Sequence, residues 1–209
     1  MNKLLHIIAA PREEESRTLK ISRSFLDTFT PVHPDWVVEE LDLFNEELPG
    51  LAMKRADGRY MLLDGVGLFG KLKEDWESII AQIERFKSAD GYLISAPMWN
   101  FSIPYVLKQY IDIIVQPKHL FRYTGKGVAE GLINDRKMVF ITSRGGQYLT
   151  SEARPYDFQE PYIRTIFGFV GISDITFVIA QPMDSPDIDL KNRRLEETKA
   201  KAAETAKTF

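Results

Sequence analysis

The chain has 209 residues, 44% of them hydrophobic, and a formal net charge of -3. That length supports one full core, most simply a single domain over 1–209, and the near-balanced charge offers no basic footprint for nucleic acid. The absence of cysteine excludes disulfides, thiolate metal sites and thiol nucleophiles.

Lys3 to Ala10 is almost wholly apolar, as expected of a strand covered on both faces. His6 lies inside it and reads as structural rather than catalytic. Met1-Asn2-Lys3 leads straight into this run, without the longer apolar stretch and small-residue cleavage site of a signal peptide. No segment approaches the roughly 18 apolar residues of a membrane span. The expectation is a cytoplasmic protein with no membrane span.

Ser16 suits the N-cap of a helix running through Phe29, with Ile21, Phe25, Leu26 and Phe29 on one face. Hydroxyls and free amides at a helix start, fed by the first strand, form an anion site. Ser16, Arg17 and Thr18 are therefore candidates to hold a phosphate, although an ordinary capped helix would look the same. No glycine fingerprint of the dinucleotide or triphosphate kind is present. Glu13 to Glu15 are expected in solvent, because pointing inward they would repel a phosphate.

Trp36 to Leu43 reads as the second strand. Residues 44–66, broken by Pro49, Gly50, Gly58 and Gly65, read as an irregular connection long enough for a lid or binding rim. Leu72, Trp76, Ile79, Ile80, Ile83 and Phe86 recur at helical spacing and read as core. Gly91 to Ile94 is a short buried strand. It runs into Ser95-Ala96-Pro97-Met98-Trp99-Asn100-Phe101 and then a helix from Ile103 to Asp112 with Pro104 in its first turn. Met98, Trp99 and Phe101, beside Pro97, suit the cover of a flat aromatic ligand, and the Asn100 amide suits a ring edge. Packing onto a core is the plain alternative.

Residues 116–136 read as a second long connection, carrying His119 to Thr124 with Gly125 and Gly127. Lys137 to Thr142 is the fourth strand, followed by Ser143-Arg144-Gly145-Gly146-Gln147-Tyr148. Paired glycines let a backbone approach a ligand closely, or make a plain turn. Residues 149–160 are polar. Pro161 to Gly171 reads as a helix carrying Ile163, Ile166, Phe167 and Val170. Ile175 to Ala180 is the fifth strand, and Asp187 to Lys207 a charged final helix expected to pack through Leu190 and Leu195.

Five strands alternating with five helical stretches argue for a parallel sheet with right-handed crossovers. The natural small solution is a flavodoxin-like three-layer α/β sandwich with strand order 2-1-3-4-5. The loops after strands 1, 3 and 4 would then converge on one crevice. A phosphate end at Ser16 to Thr18, a soft wall at Met98 to Phe101 and a backbone-rich edge at Ser143 to Gly146 match flavin mononucleotide (FMN). Backbone amides near the flavin's pyrimidine edge would favour the negative charge that collects there on two-electron reduction. The chemistry then belongs to the cofactor, with no catalytic side chain and no metal. His6, His33 and His119 have no serine nucleophile in a plausible elbow, and no cluster has metal-ligand spacing.

Ala96-Pro97-Met98-Trp99-Asn100-Phe101, Phe121-Arg122-Tyr123-Thr124, Thr142-Ser143-Arg144-Gly145-Gly146 and Phe167-Gly168-Phe169-Val170-Gly171-Ile172 resemble the motifs of the FMN-dependent NADH-azoreductases. These bacterial flavodoxin-like enzymes are also NADH:quinone oxidoreductases. The resemblance runs from about residue 3 to the C-terminus and keeps the motif order. It implies a homodimer with FMN at the interface, and ping-pong hydride transfer from NADH or NADPH to a quinone or azo acceptor. By position, Ser16, Arg17 and Thr18 match the phosphate-loop segment. Met98, Trp99, Asn100 and Phe101 match the flavin-ring segment, and Ser143, Arg144, Gly145 and Gly146 the pyrimidine-edge segment. Tyr123 and Phe169 match aromatics that cover the flavin from the partner subunit and, with Tyr148, are the substrate-pocket candidates. Ala10 stands where the family often has a phosphate-binding serine, Arg17 replaces a common glutamine and Trp99 a common tyrosine. The insertion-like stretch Gln147 to Glu160 is expected to reshape the acceptor pocket. The alternatives are a flavin electron carrier, an interaction module that has lost the cofactor, and a phosphopantetheine-ester hydrolase, against which the missing nucleophile–base pair argues.

Overall fold

The computed structural model describes residues 1–51, 54–125 and 127–209. Its strands are β1 (Asn2–Ile8), β2 (Trp36–Asp42), β3 (Gly91–Ser95), β4 (Phe121–Tyr123), β5 (Ala129–Gly131), β6 (Lys137–Ser143) and β7 (Asp174–Ala180). The helices are α1 (Arg17–Val32), α2 (Lys54–Leu63), α3 (Gly70–Lys87), α4 (Tyr105–Ile114), α5 (Gln159–Phe169) and α6 (Ile188–Lys207). Five strands form one parallel sheet in the order β2-β1-β3-β6-β7, the expected 2-1-3-4-5 when only sheet strands are counted.

Side chains alternate across a strand, so neighbouring apolar residues feed opposite layers. Leu5, Ile7, Tyr92, Ile94 and Phe140 bury against α3, α4 and α5. Leu4, Leu93, Val139, Ile141 and Val178 bury against α1 and α6. The Ser16 side chain caps α1 by accepting the Leu19 amide at 3.2 Å, and Asp187 caps α6 by accepting the Leu190 amide at 2.9 Å. Of the two residues expected to pack α6, Leu195 does lie against the cluster that holds Ile21, Phe25 and Phe29, and Leu190 is not part of it. The buried residues of α6 are Thr198, Ala202 and Ala206. Small side chains let the two helices approach closely.

At the amino end of the sheet, Phe25, Phe29, Trp36 and Phe209 form an aromatic plug, with Phe209 5.4 to 6.0 Å from the other three ring centroids. Gly91 makes room for it. A Cβ there would stand 2.6 Å from the Phe209 ring and 3.2 Å from Trp36.

Two connections carry more structure than expected. The stretch 44–66 contains α2, whose Gly58 reads as a breaker but is the helix's contact with α3, the Trp76 indole filling the space of a Cβ. Ala52 and Met53 of that stretch lie outside the described residues. The stretch 116–136 contains the antiparallel β4–β5 hairpin, with strands too short for an alternating pattern to register. Lys126, between its two glycines, is also outside the described residues. Pro104 is the N-cap of α4 rather than a first-turn residue, and α5 starts two residues before Pro161. No helix among the described residues is long and apolar enough to cross a membrane.

Candidate functional site

Parallel strands present all their carboxyl ends at one edge, so the loops that follow them share it. Backbone hydrogen bonds draw these loops together. Ala9 donates to Ser95 at 2.8 Å, Met98 to Ser143 at 3.0 Å, and Arg144 to Ala180 at 2.9 Å. Met183 donates to Arg144 and Asp184 to Gly145, at 2.9 and 3.1 Å. The cleft between them, about 230 Å³, is walled by Ala10, Ser16, Arg17 and Thr18 after β1 and by Pro97, Met98 and Trp99 after β3. Pro11 and Arg12 after β1, Ser143 at the end of β6 with Arg144 and Gly145 beyond it, and Met183 and Asp184 after β7 complete it.

At one end lies the start of α1. Its first-turn amides have no intrahelical acceptor, and the helix dipole favours negative charge there. Thr18 is buried and its Oγ1 meets Ser143 Oγ at 2.8 Å. The Arg17 guanidinium donates to the Met183 carbonyl at 2.7 Å and reaches Asp184 Oδ1 at 3.4 Å. Glu13 to Glu15 form an exposed 3₁₀ turn outside the cleft. His6 is buried below, its Nε2 2.8 Å from Ser95 Oγ, as a structural histidine would be.

The turn after β3 is a tight hairpin. Trp99 and Ser102 exchange both backbone hydrogen bonds at 2.9 Å, and the residues between them have positive φ, 45° at Asn100 and 70° at Phe101. Asparagine tolerates that region, whereas phenylalanine is strained in it. Phe101 lies 5.7 Å from the Tyr156 ring and 6.4 Å from Tyr148.

Under the rim sits a buried polar cluster. Arg144, only 2% exposed, donates to Asp157 Oδ2 at 2.7 Å and to Gln159 Oε1 at 3.1 Å. Its Nη2 is buried with no partner among the described residues.

Of the residues singled out in the sequence, ten line this cleft together: Ala10, Ser16, Arg17, Thr18, Pro97, Met98, Trp99, Ser143, Arg144 and Gly145. Asn100 instead lines a broader, more apolar groove beyond Trp99, about 510 Å³, with Tyr105, Lys108 and Tyr162. Burial pushes the Tyr162 phenol up to about 12. Gly146 backs onto the Tyr148 hydroxyl. Tyr123 and Phe169 stand around Phe121, at 5.7 and 4.7 Å, and are not lining residues of the cleft. Sequence reasoning missed Pro11 and Arg12 after the first strand and Met183 and Asp184 after the fifth, all of which the strand-end rule would have found. It also missed Asp157 and Gln159, whose polar types in a polar stretch carry no signal.

The profile of the flavodoxin-like fold family matches residues 2–206. An FMN-dependent NADH:quinone oxidoreductase of Clostridium beijerinckii is 40% identical over 212 aligned positions, covering all of both chains. The crystal structure of an azoreductase from Bacillus anthracis superposes with a TM-score of 0.90 at 28% identity over the whole of both chains. A second B. anthracis structure, an FMN-dependent NADH-azoreductase in complex with FMN, gives 0.84 at 27% identity, covering 99% of this chain and 100% of that one. The chain belongs to the flavodoxin-like fold family, among the FMN-dependent NADH:quinone oxidoreductases.

Proposed function

We propose that this chain, folded as one domain, is an FMN-dependent NADH:quinone oxidoreductase that also reduces azo compounds. The observation that carries the reading is the cleft itself, which an anion-favouring helix start, Met98 and Trp99, and a backbone-rich rim line together. The residues present fit FMN. The first-turn amides of Arg17 and Thr18, with the Ser16 and Thr18 hydroxyls, suit a phosphate. Gly145 leaves its backbone open except for the exposed Asp184 side chain, which can swing away. Arg144 lines the cleft, and its Nη2 is a buried donor without a partner among the described residues.

When bound, FMN supplies two-electron redox chemistry between NADH and a quinone or azo acceptor. The protein's part is to bind, orient and polarise. Met98 and Trp99 give a soft apolar wall. Arg17 offsets the Asp184 carboxylate, which would otherwise oppose a phosphate in the same cleft. The Arg144 guanidinium and the rim amides place positive potential where negative charge gathers on reduction. We further propose a cytoplasmic homodimer, in which donor and acceptor use one mouth in turn in a ping-pong order. Trp99, Phe101, Tyr105, Tyr123, Tyr156 and Phe158 remain exposed in the single chain, which favours burial by a second copy. Tyr123 and Phe169 then meet the partner's cleft rather than their own.

The test is a titration of apoprotein with FMN, followed by NADH oxidation with benzoquinone. Stoichiometric uptake with sustained turnover is expected. Failure to take up FMN would overturn the reading, and uptake without turnover would reassign the chain as an electron carrier.

A further inference from the structure

Gln159 is fully buried at the start of α5 and uses both ends of its amide. Its Oε1 accepts from Thr142 Oγ1 at 3.0 Å and from Arg144 Nε at 3.1 Å. Its Nε2 donates to the Pro97 carbonyl at 3.1 Å. Asp157 completes the arrangement. One carboxylate oxygen takes the Arg144 guanidinium, and the other accepts the amides of Gln159 and Glu160 at 3.0 and 3.1 Å. Two loops that rim the cleft, one after β3 and one after β6, therefore hang from a side chain that belongs to neither. The segment achieves this by alternation: Tyr156 and Phe158 are exposed, Asp157 and Gln159 turn inward.

We propose that Gln159 is a positioning residue for the flavin reaction. It sets the separation of the Pro97 and Arg144 loops and, with Asp157, holds the Arg144 charge beside the cleft. This rests on the flavin reading above. A neutral amide suits the place. It supplies the acceptor that Arg144 and Thr142 need and the donor that Pro97 needs, without adding charge to an arginine already paired with Asp157. Leucine at this position would leave three polar groups unmatched, the buried Thr142 Oγ1 and Arg144 Nε and the part-buried Pro97 carbonyl. Glutamate would keep the acceptors, lose the donor to Pro97 and place a second negative charge against Arg144.

The test compares wild type, Gln159→Leu and Gln159→Glu by FMN titration of apoprotein, by the flavin's midpoint potential and by thermal unfolding of apoprotein. Gln159→Leu is expected to weaken FMN binding by about tenfold or more, the scale of one or two buried polar groups left unpaired. Gln159→Glu is expected to bind more weakly than wild type and to shift the potential downward, because the added charge opposes reduction. A side chain needed only for folding would lower the melting temperature without moving the potential. A folded Leu variant with wild-type FMN affinity overturns the proposal. If that variant does not fold, wild-type affinity and potential in Gln159→Glu overturn it instead. Wild-type protein that takes up no FMN sinks the flavin reading and this proposal with it, whereas wild-type uptake with unchanged variants sinks this proposal alone.

Discussion

The Phe158 amide donates to the Phe101 carbonyl at 3.0 Å, fastening the segment before α5 to the turn after β3. Tyr156 comes to Phe101 through the same contact and extends an exposed aromatic wall. Tyr156→Ala should therefore raise KM for flat aromatic acceptors by roughly three- to tenfold, the range of one aromatic pair. The melting temperature should stay near wild type. Steady-state kinetics with quinones of increasing ring number check this, and unchanged acceptor KM values would remove Tyr156 from the pocket.

Gly145 faces the cleft with the Asp184 carboxylate lying where a Cβ would be. Because Asp184 is an exposed, movable side chain, Gly145→Val should leave apoprotein stability within about 1 kcal/mol of wild type. The branched side chain should nonetheless block close approach to the backbone. Flavin content after purification, measured by absorbance, should fall well below stoichiometric.

Asp184 also puts a negative charge in the space proposed for a phosphate. Asp184→Asn should tighten FMN binding by about two- to fivefold at low ionic strength, in line with exposed charge pairs. The gain should fade as salt rises and the Debye length shrinks to about 3 Å near 1 M. Titrations at two salt concentrations read it directly, and weaker binding at low salt would show that Asp184 serves the ligand.

Asn100 sits at φ 45°. Alanine there should cost about 1 kcal/mol of folding stability, because its Cβ meets the backbone in the left-handed region, while glycine should cost little. Both delete the amide. If that amide touches FMN, Asn100→Ala and Asn100→Gly should weaken binding alike despite unequal melting temperatures. Unchanged affinity in both would assign Asn100 to the neighbouring groove alone.

Glu39 sits between Lys3 Nζ, at 2.8 Å, and Arg85 Nε. Burial alone would raise its carboxyl, but hydrogen bonds from the Lys3 ammonium and the Arg85 guanidinium outweigh it and hold the group below its ordinary value. A carboxyl depressed in the folded state contributes stability above its unfolded value of about 4.3, and that contribution is lost as pH falls through the lower folded value. Glu39→Gln should therefore be less stable than wild type at pH 7, with the difference closing below about pH 4. Denaturant melts at a series of pH values check the sign.

Strand order and the meeting of the strand-end loops were legible because both follow from long apolar runs and their connectivity. Ser16 was legible because a capping hydroxyl before a helical stripe has one economical reading. Gly58 misled because a glycine in a polar helix looks like a break until Trp76 is seen lying against it. Asp157 and Gln159 were invisible for a different reason. Their meaning lies in Arg144, Thr142 and Pro97, which are 13 to 62 positions away along the chain. Tertiary partners of that kind leave no periodicity.

Helix α1 begins at the cleft with Ser16 and ends in the ring cluster of Phe25, Phe29, Trp36 and Phe209. Its far end is thus moored by packing that a guest never touches. Loading the cleft need not order this helix, so its amides near Phe29 should exchange with solvent equally slowly in apoprotein and holoprotein, and only the first turn should register arrival. The molecule is in effect hinged nowhere along that rod: what happens at the mouth is felt locally, and the opposite pole stays shut.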